Sequence, residues 1–291
     1  MSDLKRLISD KIRGVANYLD SDTQGETTED KPRVPKEIKY SGDKKICVWD
    51  IETSLVTVQV FRTGEQYIRP EQIVNDTNIL CISWQILGEE KVHHTTILDD
   101  GDATNDKNVI VTFRDYIERE GVDILLAYNG DGFDYKYFNA KVIEYRLLPL
   151  GYIQTIDPLK ELRKVAKFSS HKMGFVAEKL GTSRKTETNR QLWIDATAGE
   201  PEAIAKMVAY CDDDIIALRD LYIELRPYMK SHPNVARRLT HNCPKCGSTD
   251  TMKNGIRHSK SGIESQRYQC QTCLSYFSDR KSKKAKPLSK V

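Results

Sequence analysis

Apolar residues follow helical spacing in some parts of this chain and alternate or cluster in others, and those changes of period mark its elements. Leu4, Leu7, Ile8, Ile12, Val15 and Leu19 recur at helical spacing. The polar stretch 21–36, with Pro32 and Pro35, reads as a linker, so residues 1–43 are expected to be an N-terminal helix and a flexible connection. Beyond them, 45–51, 56–62, 79–87 and 92–98 carry the β-branched and apolar runs of strands. Residues 108–120 have a helical pattern, and the compact apolar run 123–127 predicts a strand buried on both faces. A helix over 133–146, a short strand over 153–156 and helical pieces at 159–166 and 175–180 follow. After a polar loop over 181–191, a long helix begins at Pro201, a residue suited to a first helical turn, and runs to about 228. Strands first, then strands alternating with helices, predict an α/β domain with a mixed sheet flanked by helices over 44–232. Pro233 and Asn234 break the pattern before a small module at 237–279. The last stretch, 280–291, holds six basic residues and no acid and is expected to be a disordered basic tail.

With 291 residues and 39% hydrophobic content, the chain has room for one medium domain and an appendage. No run approaches the ~18–20 apolar residues of a membrane span. The first ten residues lack the apolar centre of a secretory signal, so a soluble cytoplasmic protein is expected. The net charge of +3 hides an asymmetry: from Arg237 onward there are 13 Lys/Arg against 3 Asp/Glu, and the rest of the chain is acidic. That polarity suggests a polyanionic partner gripped by the C-terminal module. Of seven cysteines, four form C-x-x-C pairs, Cys243/Cys246 and Cys270/Cys273, whereas Cys47, Cys81 and Cys211 sit in apolar or helical contexts. An odd count with two such pairs points to a reducing compartment and a metal rather than disulfides.

Three acidic stations stand along the α/β region. Asp50 and Glu52 end the apolar run 46–49, and alternation on a strand points both to one face, ~6–7 Å apart. Two such carboxylates repel unless a cation lies between them, and hard Mg2+ or Mn2+ suits oxygen ligands. The second station is 129–134, a tight Asn-Gly-Asp-Gly-Phe-Asp loop after the buried strand. There Asp134 has the better context than Asp131: Phe133 is expected to pack inward while Asp134 faces the cleft, where ligands gather at strand ends. Asn129 is expected to orient substrate or brace the loop. The third is Tyr210 and Asp214, one turn apart on one face of the long helix. A carboxylate there completes a metal cage, and the phenol can hold an attacking water.

These residues resemble the three exonuclease motifs of the DEDD 3′–5′ exonucleases, in the tyrosine-bearing subclass. The stretch Ala-Tyr-Asn-Gly-Asp-Gly-Phe-Asp-Tyr at 127–135 is similar to the second motif of proofreading domains in family B DNA polymerases. Met-Val-Ala-Tyr-Cys-Asp-Asp-Asp-Ile-Ile-Ala-Leu at 207–218 is similar to their third. The resemblance covers about 44–228 and implies a ribonuclease H-like fold. What remains is too short for a polymerase palm and fingers, so a stand-alone nuclease is expected, of the kind a phage or mobile element carries, working in the host cytoplasm beside a separate polymerase or replication protein. The resemblance further implies that Asp50, Glu52 and Asp214 hold the metal that activates water. It gives Asp50 and Asp134 the metal beside the leaving oxygen, with Tyr210 orienting the nucleophile. Nucleoside 5′-monophosphates would be the products. Thr53 and Leu55 are expected to contact the terminal nucleotide, with Asn129 and Phe133 beside it. The rings of Trp49, Phe133, Tyr135 and Tyr137 are candidates for stacking on bases of single-stranded or 3′-ended DNA. Arg184, Lys185 and Arg190 could meet backbone phosphates.

The spacing C-x2-C-x23-C-x2-C lets four thiolates close a tetrahedral site around one structural Zn2+, with Gly247 in the knuckle turn. The module resembles a zinc ribbon. Arg257, Lys260, Arg267, Tyr268, Tyr276 and Phe277 interleave base and aromatic character, which suits nucleic acid more than protein docking. Two other readings stand beside the exonuclease: a structure-specific endonuclease or RNA-processing nuclease on the same fold, and a non-catalytic nucleic-acid-binding adaptor.

Overall fold

A computed structural model describes residues 40–182, 188–236, 241–260 and 263–278. The chain divides into two units, Met1–Lys36 and Glu37–Val291, and every described residue belongs to the second. The helix expected over 4–19, the linker 21–36, Arg184, Lys185 and the 280–291 tail lie outside the described residues.

The elements run β1 (Ile46–Thr53), β2 (Thr57–Val58), β3 (Ile73–Asn75), β4 (Ile79–Ile86), β5 (His93–Thr96), α1 (Lys107–Glu120), β6 (Ile124–Leu126), α2 (Asp134–Glu144), β7 (Gln154–Ile156), α3 (Pro158–Val165), α4 (Met173–Leu180), α5 (Arg190–Thr197), α6 (Pro201–Leu225), β8 (Thr251–His258), β9 (Glu264–Cys270) and β10 (Tyr276–Ser278). The main sheet has the order β5-β4-β1-β6-β7. Strands β5, β4 and β1 are antiparallel, and β1, β6 and β7 are parallel. The architecture is therefore the expected ribonuclease H-like mixed sheet flanked by helices. Among the described residues no helix is long and apolar enough to cross a membrane.

Strand β1 lies at the centre and is apolar on both sides. Cys47, Trp49 and Ile51 join a core with Val109, Ile110 and Phe113 of α1 and Phe138 and Val142 of α2. Ile46 and Val48 join a second core with Leu218, Leu221 and Tyr222 of α6. Period-two alternation then decides where the acids go: Asp50 and Glu52 share the parity of Ile46 and Val48, so they emerge on the α6 side. The register agrees, because Asp50 lies opposite Ser83 and Glu52 opposite Cys81. Ser83 on that face donates to Asp212 of α6 at 2.6 Å.

Trp49 is not available for bases. It is 1% exposed, stacks on Phe113 at 5.0 Å and meets Phe138 edge-on at 5.9 Å. Truncating such an aromatic core residue typically costs ~3–5 kcal/mol.

Two elements depart from the periodicity. The run 56–62 forms only the two-residue β2, which pairs with β3 in a separate ribbon. Both sides of β1 are already occupied by β4 and β6, and the β1 ladder slips between Glu52 and Thr53, so the chain leaves the sheet there. Helix α5 falls across the end of the stretch expected to be a loop. Asn189 caps it, accepting from the Leu192 amide at 3.0 Å, and its large apolar residues Leu192, Trp193 and Ile194 are consecutive, so they show no helical period.

The C-terminal strands form a three-stranded antiparallel sheet. The Cys243–Cys246 knuckle is fastened to the preceding body. The Ser41 amide donates to the Cys246 carbonyl at 3.0 Å, and the Val235 amide to the Pro244 carbonyl at 2.9 Å. Gly247 has φ +79°, and a Cβ there would lie 2.5 Å from the backbone of Ser41 and Gly42. Both the turn and the close approach require glycine.

Candidate active site

The structure brings Asp50, Glu52 and Asp214 together: one carboxylate oxygen from each lies within 4.8 Å of the others. Asp50 and Glu52 are half-buried at the end of β1, and Asp214 faces them from α6. The helix is held to the strand beneath, with the Cys211 thiol 3.6 Å from the Asp50 carbonyl oxygen. Tyr210 sits one turn before Asp214, half-buried, with its ring 6.1 Å from that of Trp193.

Asp134 stands beside this trio rather than within it. It opens α2, is 2% exposed and accepts from the Ile51 amide at 3.3 Å. That bond fixes the second station against the strand between the two carboxylates of the first. Asp131 points elsewhere and pairs with Lys160 at 3.1 Å. Asn129 adopts φ +65°, a conformation asparagine tolerates, and its carbonyl accepts from Gly132 and Phe133. A Cβ on Gly132 would approach the Asn129 side-chain oxygen to 2.7 Å, so Asn129 braces its loop. Phe133 departs from expectation. Its ring is 36% exposed and leans on Tyr137 at 4.6 Å, because the inward position on this helix belongs to Phe138. Thr53 is half-buried beyond the acids, and Leu55 is exposed with its amide donating to the Thr197 hydroxyl at 2.9 Å.

The electrostatics are those of crowded, buried carboxyls. Burial pushes the Asp50 carboxyl well above its ordinary range, and Asp134, Glu52 and Asp214 push it further. Burial, then Asp214 and Asp134, raise Glu52 to about 8. Burial raises Asp134 to about 7 against the opposing hydrogen bond from Ile51. Burial and the charges of Asp214 and Glu52 raise the Tyr210 phenol, with a hydrogen bond to Asp214 adding to them. It therefore stays protonated and can donate. Clustered carboxylates that resist ionisation are what a hard divalent cation relieves, so this donor set fits Mg2+ or Mn2+.

Three features were not read from the sequence. Asp157 is 6% exposed, caps α3 and accepts from the Asn129 amide at 3.0 Å. Asp-Pro directly after a short strand was the available signal for that cap. Asp212 binds both Ser83 and His94, the latter at 3.0 Å, and so pins α6 to β4 and β5. A cavity of about 1020 Å3 opens between α5 and α6, with Gln191, Asp195, Lys206, Tyr210 and Asp213 in its wall.

A family model described as RNase_H superfamily matches residues 74–226, just over half of the 291-residue chain. The chain belongs to the RNase H superfamily. The match begins beyond β1, so Asp50 and Glu52 precede it. This RNase H superfamily chain is also similar to the DNA polymerase III PolC-type of Ureaplasma parvum serovar 3, with 25% identity over 132 residues. That stretch is 45% of this chain but 8% of the polymerase, so the chain spans a small part of that relative's length. Among solved structures it is similar to the family B DNA polymerase of the hyperthermophilic archaeon Pyrobaculum calidifontis. There the TM-score is 0.46 at 15% identity, over 63% of this chain and 25% of the other.

The second cluster is made of Cys243, Cys246, Cys270 and Cys273, all buried, with their sulfurs within 4.8 Å of one another. Cys243 and Cys273 sulfurs are 3.5 Å apart, and Cys246 and Cys270 sulfurs 3.6 Å. These separations are too long for disulfides and close to the ~3.8 Å edge of a tetrahedron with ~2.3 Å metal–sulfur bonds. Tyr268 is buried in this module and Phe277 packs on the cysteines, so neither ring is free for bases.

Proposed function

We propose that the protein is a metal-dependent 3′–5′ exonuclease of the tyrosine-bearing DEDD kind, acting on DNA or RNA in the cytoplasm and releasing nucleoside 5′-monophosphates. The observation that carries the reading is the meeting of Asp50, Glu52 and Asp214 oxygens within 4.8 Å on one face of the sheet. Asp50, Glu52, Asp134 and Asp214 are the residues to hold two Mg2+ or Mn2+. Such ions, when bound, supply a water nucleophile at neutral pH and stabilise the charge on a phosphodiester under in-line attack. The protonated Tyr210 phenol donates its one proton to Asp214, which sets its direction, and leaves its oxygen free to accept from such a water and orient it. Asp134, fixed by the Ile51 amide, serves the leaving side together with Asp50. The exposed Phe133 ring offers a stacking face for a terminal base, with Thr53, Leu55 and Asn129 around it.

The four cysteines are assigned one structural Zn2+, for which the sulfur spacings and burial are suited. Lys253, Arg257, Arg267 and Tyr276 are exposed on the strands of that module and favour single-stranded or 3′-ended nucleic acid as its ligand. Similarity to polymerases supports action beside a separate polymerase.

Matched 5′-labelled DNA and RNA oligomers, digested with Mg2+, Mn2+ or chelator, test the assignment. A ladder shortening from the 3′ end, absent with chelator and with a blocked 3′ terminus, is expected. Internal cuts on the blocked substrate would replace this reading with the endonuclease one.

A further inference from the structure

Arg226 follows the last residue of α6 and is 4% exposed. Its guanidinium lies over the Tyr222 ring, 5.6 Å from the centroid. Its Nε and Nη1 have no hydrogen-bond partner among the described residues. The Tyr222 oxygen is itself 2.7 Å from His232 Nε2. A buried cation with two orphaned donors is costly, and such groups in native proteins nearly always have a partner. The cysteine cluster is a neighbour able to supply one once it carries negative charge. Lys245, inside the Cys243–Cys246 knuckle, donates to the Arg226 carbonyl at 3.0 Å and to that of Pro227 at 2.9 Å, which brings the knuckle onto this segment. Cys246 and Cys273 lie within electrostatic range of the guanidinium. As thiols the four cysteines are neutral and weak acceptors. As thiolates around one divalent cation they carry two net negative charges and become strong acceptors for a cationic donor.

We propose that Arg226 is the hydrogen-bonding counter-ion of the metal-loaded cysteine cluster, so that its orphaned donors are satisfied only when the metal is bound. This rests on the zinc assignment above. The consequence reaches the nuclease body, because Arg226 directly continues the helix that carries Tyr210 and Asp214. Loss of metal leaves an unpaired charge buried at the end of that helix. The C-terminal module then acts as a brace on the catalytic helix as well as a surface for nucleic acid.

The test uses the full chain as wild type, Arg226→Met and Arg226→Lys, each purified with zinc. Competition with a chromophoric chelator reads affinity, and elemental analysis reads content. Thermal unfolding is followed by tryptophan fluorescence, because Trp49, Trp84 and Trp193 all lie in the nuclease body and report on it alone. Removing a partner that steadies metal ligands typically weakens metal binding about 10- to 100-fold, which is the expectation for R226M. R226K, with a point charge in place of the planar fork, should fall between. Chelation should lower the unfolding temperature of the wild-type body clearly and that of R226M much less. Wild-type zinc affinity in R226M, with an equal chelation shift in both proteins, overturns the role of Arg226 and leaves the zinc site standing. Wild-type protein without zinc and with four freely titrating thiols overturns both. Should R226M not fold, cobalt-substituted wild type and R226K decide. Loss of N–H···S bonds moves the thiolate-to-cobalt band to longer wavelength, and an unmoved band counts against the proposal.

Discussion

At the scale of single residues, the pocket is defined by carboxylates that converge on one face, too close together and too buried to ionise independently. Asp214→Asn keeps the shape of the side chain and removes its charge. It should lower Mg2+-dependent cleavage by ~100-fold or more in protein whose circular dichroism is unchanged. Full activity in that variant would remove the third station from the site. The raised carboxyls also set a pH dependence. Glu52, near 8, and Asp134, near 7, hold protons in the folded chain at pH values where the unfolded chain, with pKa values of ~4, has lost them. The folded state therefore binds more protons between ~4 and ~8, and the metal-free protein should lose stability as pH rises through that window. Mg2+ or Mn2+ needs the ionised forms, so its stabilising effect should grow over the same range. Thermal melts in chelator and in MnCl2 from pH 5 to 8.5 measure both slopes, and parallel curves would exclude these carboxyls as the metal site. Some of this was legible beforehand. The pair Asp50 and Glu52 follows from strand alternation alone. The choice of Asp134 over Asp131 rested on context, and it is the ion pair of Asp131 with Lys160 and the Ile51 amide on Asp134 that separates their surroundings.

Elements tell the same story with a different balance. Strands β1, β4 and β6 and helix α6 were readable because each buries long apolar stretches, and burial leaves a period in the sequence. Helix α5 and the β2–β3 ribbon bury little, so their existence depends on a cap, on Thr197 meeting Leu55 and on a ladder slip after Glu52. The 129–134 loop between β6 and α2 is tighter than its composition shows. A Cβ on Gly130 would lie 2.5 Å from the Ala127 Cβ and 3.2 Å from the Ala127 carbonyl oxygen. Gly130→Ala should therefore cost ~1–3 kcal/mol in denaturant unfolding, as overpacked positions do. It should also weaken divalent-metal binding, because the displaced loop carries Asp134. A neutral substitution would mean that the loop has room to yield.

Over the whole molecule, an RNase H-like body precedes a basic C-terminal module, and the proposed function assigns cleavage to the first and grip to the second. Replacing Lys253, Arg257 and Arg267 together by Gln should weaken single-stranded DNA binding. The slope of log affinity against log salt should fall by ~0.7 for each phosphate that is no longer neutralised. Fluorescence anisotropy over a salt series reads this directly, and an unchanged slope would point to protein docking for that face. The same module is bonded to the body through Ser41, Val235 and Lys245, so its metal state and the body's stability should not vary independently.

The linear sequence by itself determined the mixed α/β class, the three acidic stations and the four-cysteine spacing, because alternation, helical period and ligand spacing are local properties of the chain. Only the folded structure decided that Asp50, Glu52 and Asp214 meet, that Trp49 is core while Phe133 is exposed, and that Arg226 lies buried beside the cysteine cluster. Those facts depend on how α6 lies across the sheet and on which neighbours reach a side chain first. Such long-range contacts are set by packing between segments far apart in the chain, and no local pattern records them.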